Sequence, residues 1–485
     1  MDDFSGRETD LARLDHQRHT AAETGRGVAV VLSGRRRVGK SRLAQELCDR
    51  SGLPYLVFQA TKGRNPAAER ADFMQAVGES GLPGAELVRD LRAGDWNQAL
   101  GALASVVPEH RPSILVLDEV PWLVEQDREF EGALQTIWDR HLSAKPVLLL
   151  LVGSDLSVME GLQSYGRPFH GRATRMVLRP LDLHDVAAAT GLAAADAVDA
   201  YLITGGLPEL VRSWRPGTSV WDYLRANLTD PLSRLLVAGE LTLLSEFPEP
   251  TYARQALEAI GTGETTFGAI ASHLGGGAAV PSGSLAPVLA NLLAKQVVAA
   301  EVPLSTKPDG RNKRYRVADH YLRFWLAFLR RGVAESERGR GDLVLTRIER
   351  SWAAWRGRAV EPLVRESLER SLPDDRWPDT AVVGGWWNRQ NNPEIDLVGA
   401  DRSPVARTVH FVGTVKWLDR QFDQRDLDQL VRSRPAVPGT DEATPLVAVS
   451  RAGFAPGLPL ARAWEPVDLI RAWEPRQPDR VAGSR

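Results

Sequence analysis

Apolar positions along the chain repeat with two different periods. Short unbroken runs at 28–32 (Val28, Val30, Val31 and Leu32 among them), 114–117 and 146–153 are rich in Val, Leu and Ile, the pattern of strands buried on both faces of a parallel sheet. Helical spacing separates them, with Leu11 and Leu14 before the first run and Leu43, Ala44 and Leu47 after it. Helical patterning resumes at Leu183, and Gly205-Gly206-Leu207-Pro208 breaks it sharply. Three helical segments follow at 252–260, 267–274 and 282–295, with Gly275-Gly276-Gly277 after the second and Ser282 as the expected cap of the third. Two β-like runs, 297–302 and 314–317, flank TKPDGRNK. Residues 318–329 (ADHYLRFWLAFL) are too aromatic for an exposed helix and read as a buried connector; 331–341 is polar and reads as a linker. Beyond it lies a helix carrying Trp352, Trp355, Val360, Leu363, Val364 and Leu368. Strand-like runs at 381–387, 394–398 and 408–417, a helix at 424–431 and a strand at 446–449 complete a second α/β pattern. The expected class is multidomain α/β: 1–180 around a parallel sheet, 181–248 a helical lid, 249–330 three helices and a hairpin, 331–344 a linker, 345–476 an α/β domain and 477–485 a disordered tail.

The first strand runs into Gly34-Arg35-Arg36-Arg37-Val38-Gly39-Lys40-Ser41, which fits G-x-x-x-x-G-K-[ST] at every position, with Arg42 opening the helix that follows. Gly34 and Gly39 let the backbone turn tightly, so that its N–H groups face phosphate oxygens, and the helix N-terminus adds partial positive charge. Lys40 reaches terminal phosphates, and the Ser41 hydroxyl can ligate Mg²⁺. The second run ends in Asp118-Glu119: Asp118 is placed to hold Mg²⁺, and Glu119 to take a proton from an attacking water. Ser154, after the third run, is the expected γ-phosphate sensor, although a simple helix cap reads nearly as well. In the loop GRPFHGR (166–172), Arg172 is the better candidate for an arginine finger and Arg167 the weaker; both read equally as loop charges.

Composition narrows the picture. The chain has 485 residues, 43% apolar and 25% charged, with a net charge of −2, so any basic surface must be local. The single cysteine, Cys48, excludes an internal disulfide framework and fits a reducing compartment. The N-terminal MDDFSGRETD is polar and acidic, and the longest apolar run is too short to cross a bilayer; the expectation is a cytoplasmic protein without a membrane partner.

In order and spacing, Phe4–Gly6-Arg7, the 34–41 loop, Asp118-Glu119, Gly153-Ser154, Gly171-Arg172 and Gly205-Gly206-Leu207-Pro208 resemble the archaeal-type, DEXX-box ATPases of the STAND/AAA+ P-loop class. The resemblance implies a P-loop NTPase parallel sheet, ATP and Mg²⁺ as ligands, ATP hydrolysis, a helical lid and a Gly6-Arg7 segment near adenine and ribose. It leaves homo-oligomerisation open. Residues 249–330 resemble a winged helix-turn-helix, with Lys307, Arg311, Lys313 and Arg314 on the wing, a placement suited to DNA phosphates. The third helix offers Ser284, Asn291 and Lys295, a weak base-reading set, and a protein-packing role fits as well.

The tail resembles the PD-(D/E)XK nuclease core, the restriction-endonuclease-like fold. That likeness assigns Glu361 as a metal-side glutamate, Asp396 as the metal-binding aspartate and Lys416 as the lysine that positions water. It departs at Thr414, where an acidic residue is expected, so the site reads as degenerate, with Glu394 the one neighbour able to rescue it. Three functions remain open here: an ATP-hydrolysing conformational switch, an ATP-regulated DNA nuclease, and a nucleotide-gated protein-interaction module.

Overall fold

A computed structural model describes residues 6–247, 252–275 and 282–475. Phe4, Gly276, Gly277 and the 477–485 tail lie outside them, as do the side chains of Ser282 and Ser284. The chain divides into two compact units, Met1–Pro180 and Leu181–Arg485.

The first unit is a sheet of five parallel strands, β1 (Val28–Ser33), β2 (Tyr55–Gln59), β3 (Ser113–Asp118), β4 (Val147–Gly153) and β5 (Ala173–Val177), in the order β2-β3-β4-β1-β5. Successive side chains of a strand point to opposite faces, so each apolar run feeds two cores. Ile114, Val116, Leu148 and Leu150 meet Leu11, Leu14, Leu43 and Leu47 on one side. Leu115, Leu117, Leu149 and Leu151 meet Phe73, Trp96, Phe130 and Leu134 on the other. Phe58, Phe73, Trp96 and Phe130 form an edge-to-face chain with centroids 5.1–5.5 Å apart, the favoured aromatic geometry. Parallel pairing gathers the carboxyl ends of β1, β3 and β4 at one edge, where open α/β sheets bind ligands.

The second unit holds a helical region, a two-stranded antiparallel ribbon of β6 (Val298–Glu301) and β7 (Arg314–Val317), and a mixed sheet. That sheet runs β12-β11-β10-β9-β8, with β8 (Val382–Trp387), β9 (Glu394–Ala400) and β10 (Val409–Lys416) antiparallel and β11 (Leu446–Ser450) and β12 (Arg462–Trp464) parallel to β10 and to each other. The long helix Gly341–Ser371 covers one face through Leu363, Val364 and Leu368. The helix Gln424–Ser433 covers the other through Leu427 and Leu430.

The described residues from Leu181 on hold two apolar clusters, one of them around Val398, Val412 and Leu430 against one face of the mixed sheet. The other runs from Leu181 through Tyr321 and Trp352 to Trp473. The expected linker 331–344 is folded instead: Val333–Glu337 is a helix, Ser336 and Val344 are buried, and Gly341 meets the Leu228 backbone closely. Its polar composition concealed these contacts, because small residues and two valines carry the packing. The wing is corrected as well. Three helices and a ribbon are present, but the ribbon's connecting loop is tied to the mixed sheet: the Leu304 amide donates to the Gly385 carbonyl at 2.8 Å, and Leu304 is buried. Arg314, expected to face phosphates, lies 4.2 Å over the Trp387 ring, donates to Asn391 and pairs with Glu394. Among the described residues no single helix is long and apolar enough to cross a membrane.

Candidate functional site

The 34–41 loop is shaped by three constraints. A Cβ at Gly34 would collide with the Leu178 carbonyl oxygen, Gly39 adopts φ 94°, and Arg37 sits left-handed at φ 67°. Val38 is fully buried and anchors the turn. Its carbonyl accepts a 2.7 Å bond from the buried Arg7 guanidinium, which also pairs with Asp10 at 3.1 Å. Arg7 thus serves the loop backbone directly. The sequence signal for it was the Gly6-Arg7 resemblance, which pointed to adenine and ribose instead.

Lys40 opens the helix Lys40–Ser51 and donates to the carbonyls of Gly34 and Arg35 at 2.8 and 3.0 Å, placing its ammonium inside the curve of the loop. Ser41 donates to Asp118 Oδ2 at 2.6 Å, so the hydroxyl and carboxylate expected to flank a cation are in contact. Arg35 and Arg36 are half-buried on the loop, whereas Arg42 turns outward to Glu46 at 3.1 Å. Among the described residues no group of three or more His, Cys, Asp or Glu side chains is arranged to hold a metal. A cation at Asp118 would therefore complete its shell with Ser41, phosphate oxygens and water, the usual habit of Mg²⁺.

Glu119 follows in a left-handed conformation, φ 54° and ψ 42°, which costs a non-glycine residue about 1–3 kcal/mol and marks functional positions. Its amide donates to Asp118 Oδ1 at 2.8 Å, and its carboxylate accepts from the buried Ser154 hydroxyl at 3.0 and 3.2 Å. Asp155, not Ser154, caps the next helix. Arg172 lies elsewhere. It precedes β5 at the position where Ala173 pairs with Ala29, the amino-terminal edge of the sheet. Four residues of strand, about 13 Å, separate that edge from Ser33. Arg172 pairs with Asp139 at 2.7 and 2.8 Å, and Arg167 pairs with Glu131. The expected finger thus cannot serve the phosphate loop of its own chain.

In the second unit Glu361, Asp396 and Lys416 line one cleft of about 940 Å³. Asp396 Oδ2 accepts from the Thr414 hydroxyl at 2.7 Å and the Val415 amide at 2.8 Å; burial pushes its carboxyl up, and these two donors oppose that shift. Glu361 is pushed up to about 8 by burial and by Asp396. Glu394, the candidate for rescue, is committed to Arg314, and the Lys416 ammonium lies 3.9 Å from Asp426. Sequence reasoning missed Arg365. Its guanidinium donates to Glu361 at 3.1 Å, Glu301 at 2.9 Å and the Asp396 carbonyl at 2.9 Å. The i,i+4 spacing of Glu361 and Arg365 was the available signal.

Residues 325–427 match the profile of a family described as archaea bacterial proteins of unknown function, DUF234. The uncharacterized protein MJECL04 of Methanocaldococcus jannaschii is 25% identical over 434 residues, 88% of this chain and 90% of the relative. Among solved structures, the Walker-type ATPase PABY2304 of Pyrococcus abyssi is 18% identical with a TM-score of 0.47, covering 66% of this chain and 95% of its own. The Aeropyrum pernix ORC2 protein, solved as ADPNP–ADP complexes, is 13% identical with a TM-score of 0.44, covering 70% and 95%.

Proposed function

We propose that the first unit binds and hydrolyses ATP, using the cycle as a conformational switch. The observation that carries this reading is the chain of contacts Ser41–Asp118–Glu119–Ser154 at the carboxyl ends of β1, β3 and β4. The loop amides and Lys40 bind the phosphates; Ser41 and Asp118 would hold Mg²⁺, which would supply positive charge against the phosphates. Glu119 accepts the proton of the water that attacks the γ-phosphorus, ADP departs, and the Ser154 hydroxyl holds the carboxylate at the sheet edge. In the second unit we read the sheet with Glu361, Asp396 and Lys416 as nuclease-like and non-cleaving. Thr414 supplies a neutral hydroxyl where a second strand carboxylate is needed to hold a hard cation. Purified protein with Mg-ATP should release phosphate, and Glu119→Gln should still bind ATP while losing about 10²–10⁴-fold in rate. A Glu119→Gln protein turning over at the normal rate refutes the role of Glu119.

A further inference from the structure

The cleft of the second unit carries more positive charge than its carboxylates balance. Of its lining cations, Arg314 pairs with Glu394, Arg316 with Glu301, Arg365 with Glu301 and Glu361, and Lys416 with Asp426. Four further arginines, Arg323, Arg331, Arg350 and Arg358, line the cleft, and Glu361 and Glu301 lie near enough to Arg323 to favour its charge. Arg323 is drawn in by a backbone defect. Pro362 has no N–H, so the Arg358 carbonyl four residues earlier lacks its helical donor, and Arg323 donates to it at 3.2 Å. Burial and the neighbouring Arg316 push the Arg323 guanidinium down to about 10. A wall of like charges is unfavourable unless an anion meets it, and this wall stands within a protein of net charge −2. Trp355 and Phe328 line the same cleft, packed against each other with centroids 5.4 Å apart.

The other side of the cleft explains what such an anion would meet. A divalent metal between Glu361 and β9 would need open carboxylate oxygens. One Asp396 oxygen already takes two donors, and the Arg365 fork already bridges Glu361, Glu301 and the Asp396 carbonyl. The sheet makes room for that fork: a Cβ at Gly385 would lie 2.6 Å from Arg365 Nη2. A guanidinium keeps its proton throughout the accessible pH range, so this cation is permanent. It supplies charge but no coordination position at which water could be activated.

We propose that this cleft binds the phosphodiester backbone of a nucleic-acid strand without a divalent metal, the Arg365 guanidinium standing in the cation's place while Arg323, Arg350 and Arg358 take the phosphates. The proposal rests on the nuclease-like, non-cleaving reading of Glu361, Asp396 and Lys416, and the test separates the two. The full chain is titrated against a short fluorescein-labelled single-stranded oligonucleotide, followed by anisotropy, in EDTA and in Mn²⁺. Equal affinity in both is expected, falling steeply with salt. Arg350→Glu and Arg358→Glu, both on the exposed side of their helix, should each weaken binding about tenfold and lower the salt slope by about one. Absence of binding, a requirement for Mn²⁺, indifference to both arginine substitutions, or equal competition by polyglutamate overturns the proposal. Cleavage of the oligonucleotide in Mn²⁺ that disappears in Asp396→Asn overturns the non-cleaving reading itself.

Discussion

Each unit sets a pair of carboxylates against its sheet, and a backbone amide and hydroxyls meet both pairs; the second pair alone also has a guanidinium. At the edge of the first sheet, Asp118 and Glu119 are met by the neutral hydroxyls of Ser41 and Ser154. In the second unit, Glu361 and Asp396 are met by a fixed guanidinium, a backbone amide and a hydroxyl. A hydroxyl can rotate to serve a metal or a water at little cost, because it is both donor and acceptor. A buried guanidinium cannot be exchanged: removing one partner of such a pair leaves charge stranded in a poor solvent. Equal acidity in sequence therefore produces one edge suited to turnover and one whose positive charge is built in.

That contrast breaks most visibly at Arg365. Arg365→Met should destabilise the second unit by about 3–5 kcal/mol, seen by calorimetry of the full chain, because Glu361 and Glu301 lose their shared partner. An unchanged unfolding midpoint would show that the guanidinium is dispensable and the comparison mistaken. A smaller effect is expected on the other side. Ser154→Ala should lower the ATP hydrolysis rate about tenfold, near the worth of one hydrogen bond to a charged group, with KM for ATP unchanged. A parallel rise in KM would mean that Ser154 serves nucleotide binding rather than the placement of Glu119. The smallest effect sharpens the distinction between buried and exposed arginines. Arg172→Ala removes the pair with Asp139 and the bonds to the Pro168 and His170 carbonyls of its own loop, and should cost about 1 kcal/mol. Its hydrolysis rate in dilute protein should stay within about twofold of normal, since the residue stands at the far edge of the sheet. A large loss that grows with protein concentration would instead assign Arg172 to a neighbouring copy.

Three strands of the first sheet, β1, β3 and β4, were legible because their signals are local; the edge strands β2 and β5, shorter and partly exposed, were not. Unbroken apolar runs announce strands buried on both faces, and residues 34–41 announce their own turn. The pairing of Ser154 with Glu119 was partly legible, since both were placed at strand ends, but the left-handed backbone of Glu119 was not. Nothing in the string LDEV forces that conformation; the adjoining strand and helix impose it. The Arg7 contact with Val38 joins residues 31 positions apart, beyond the reach of periodicity. In the second unit, local signals placed the β-runs up to 446–449 and the helices beside them, but not the last strand, Arg462–Trp464, the helix after it, or the shared core. A polar 331–341 segment looked like a tether because composition cannot reveal a glycine seated against Leu228. The wing misled for a similar reason: Leu304 is a single apolar residue in a polar loop, and only the partner surface shows that it anchors the ribbon.

The long helix Gly341–Ser371 carries a consequence for how its gene segment can change. Its 31 residues give a rod of about 46 Å. Trp352 packs in the apolar core near one end, and Glu361, Arg365 and Leu368 address the mixed sheet further along. Each residue turns the rod by about 100°. One codon gained or lost between Trp352 and Glu361 would swing every later side chain around the axis, taking Arg365 off Glu301 and bringing Val364 or Glu366 into its place. Point substitutions on the outer face of this helix away from Arg350 and Arg358 can accumulate, but its length between those two residues is fixed.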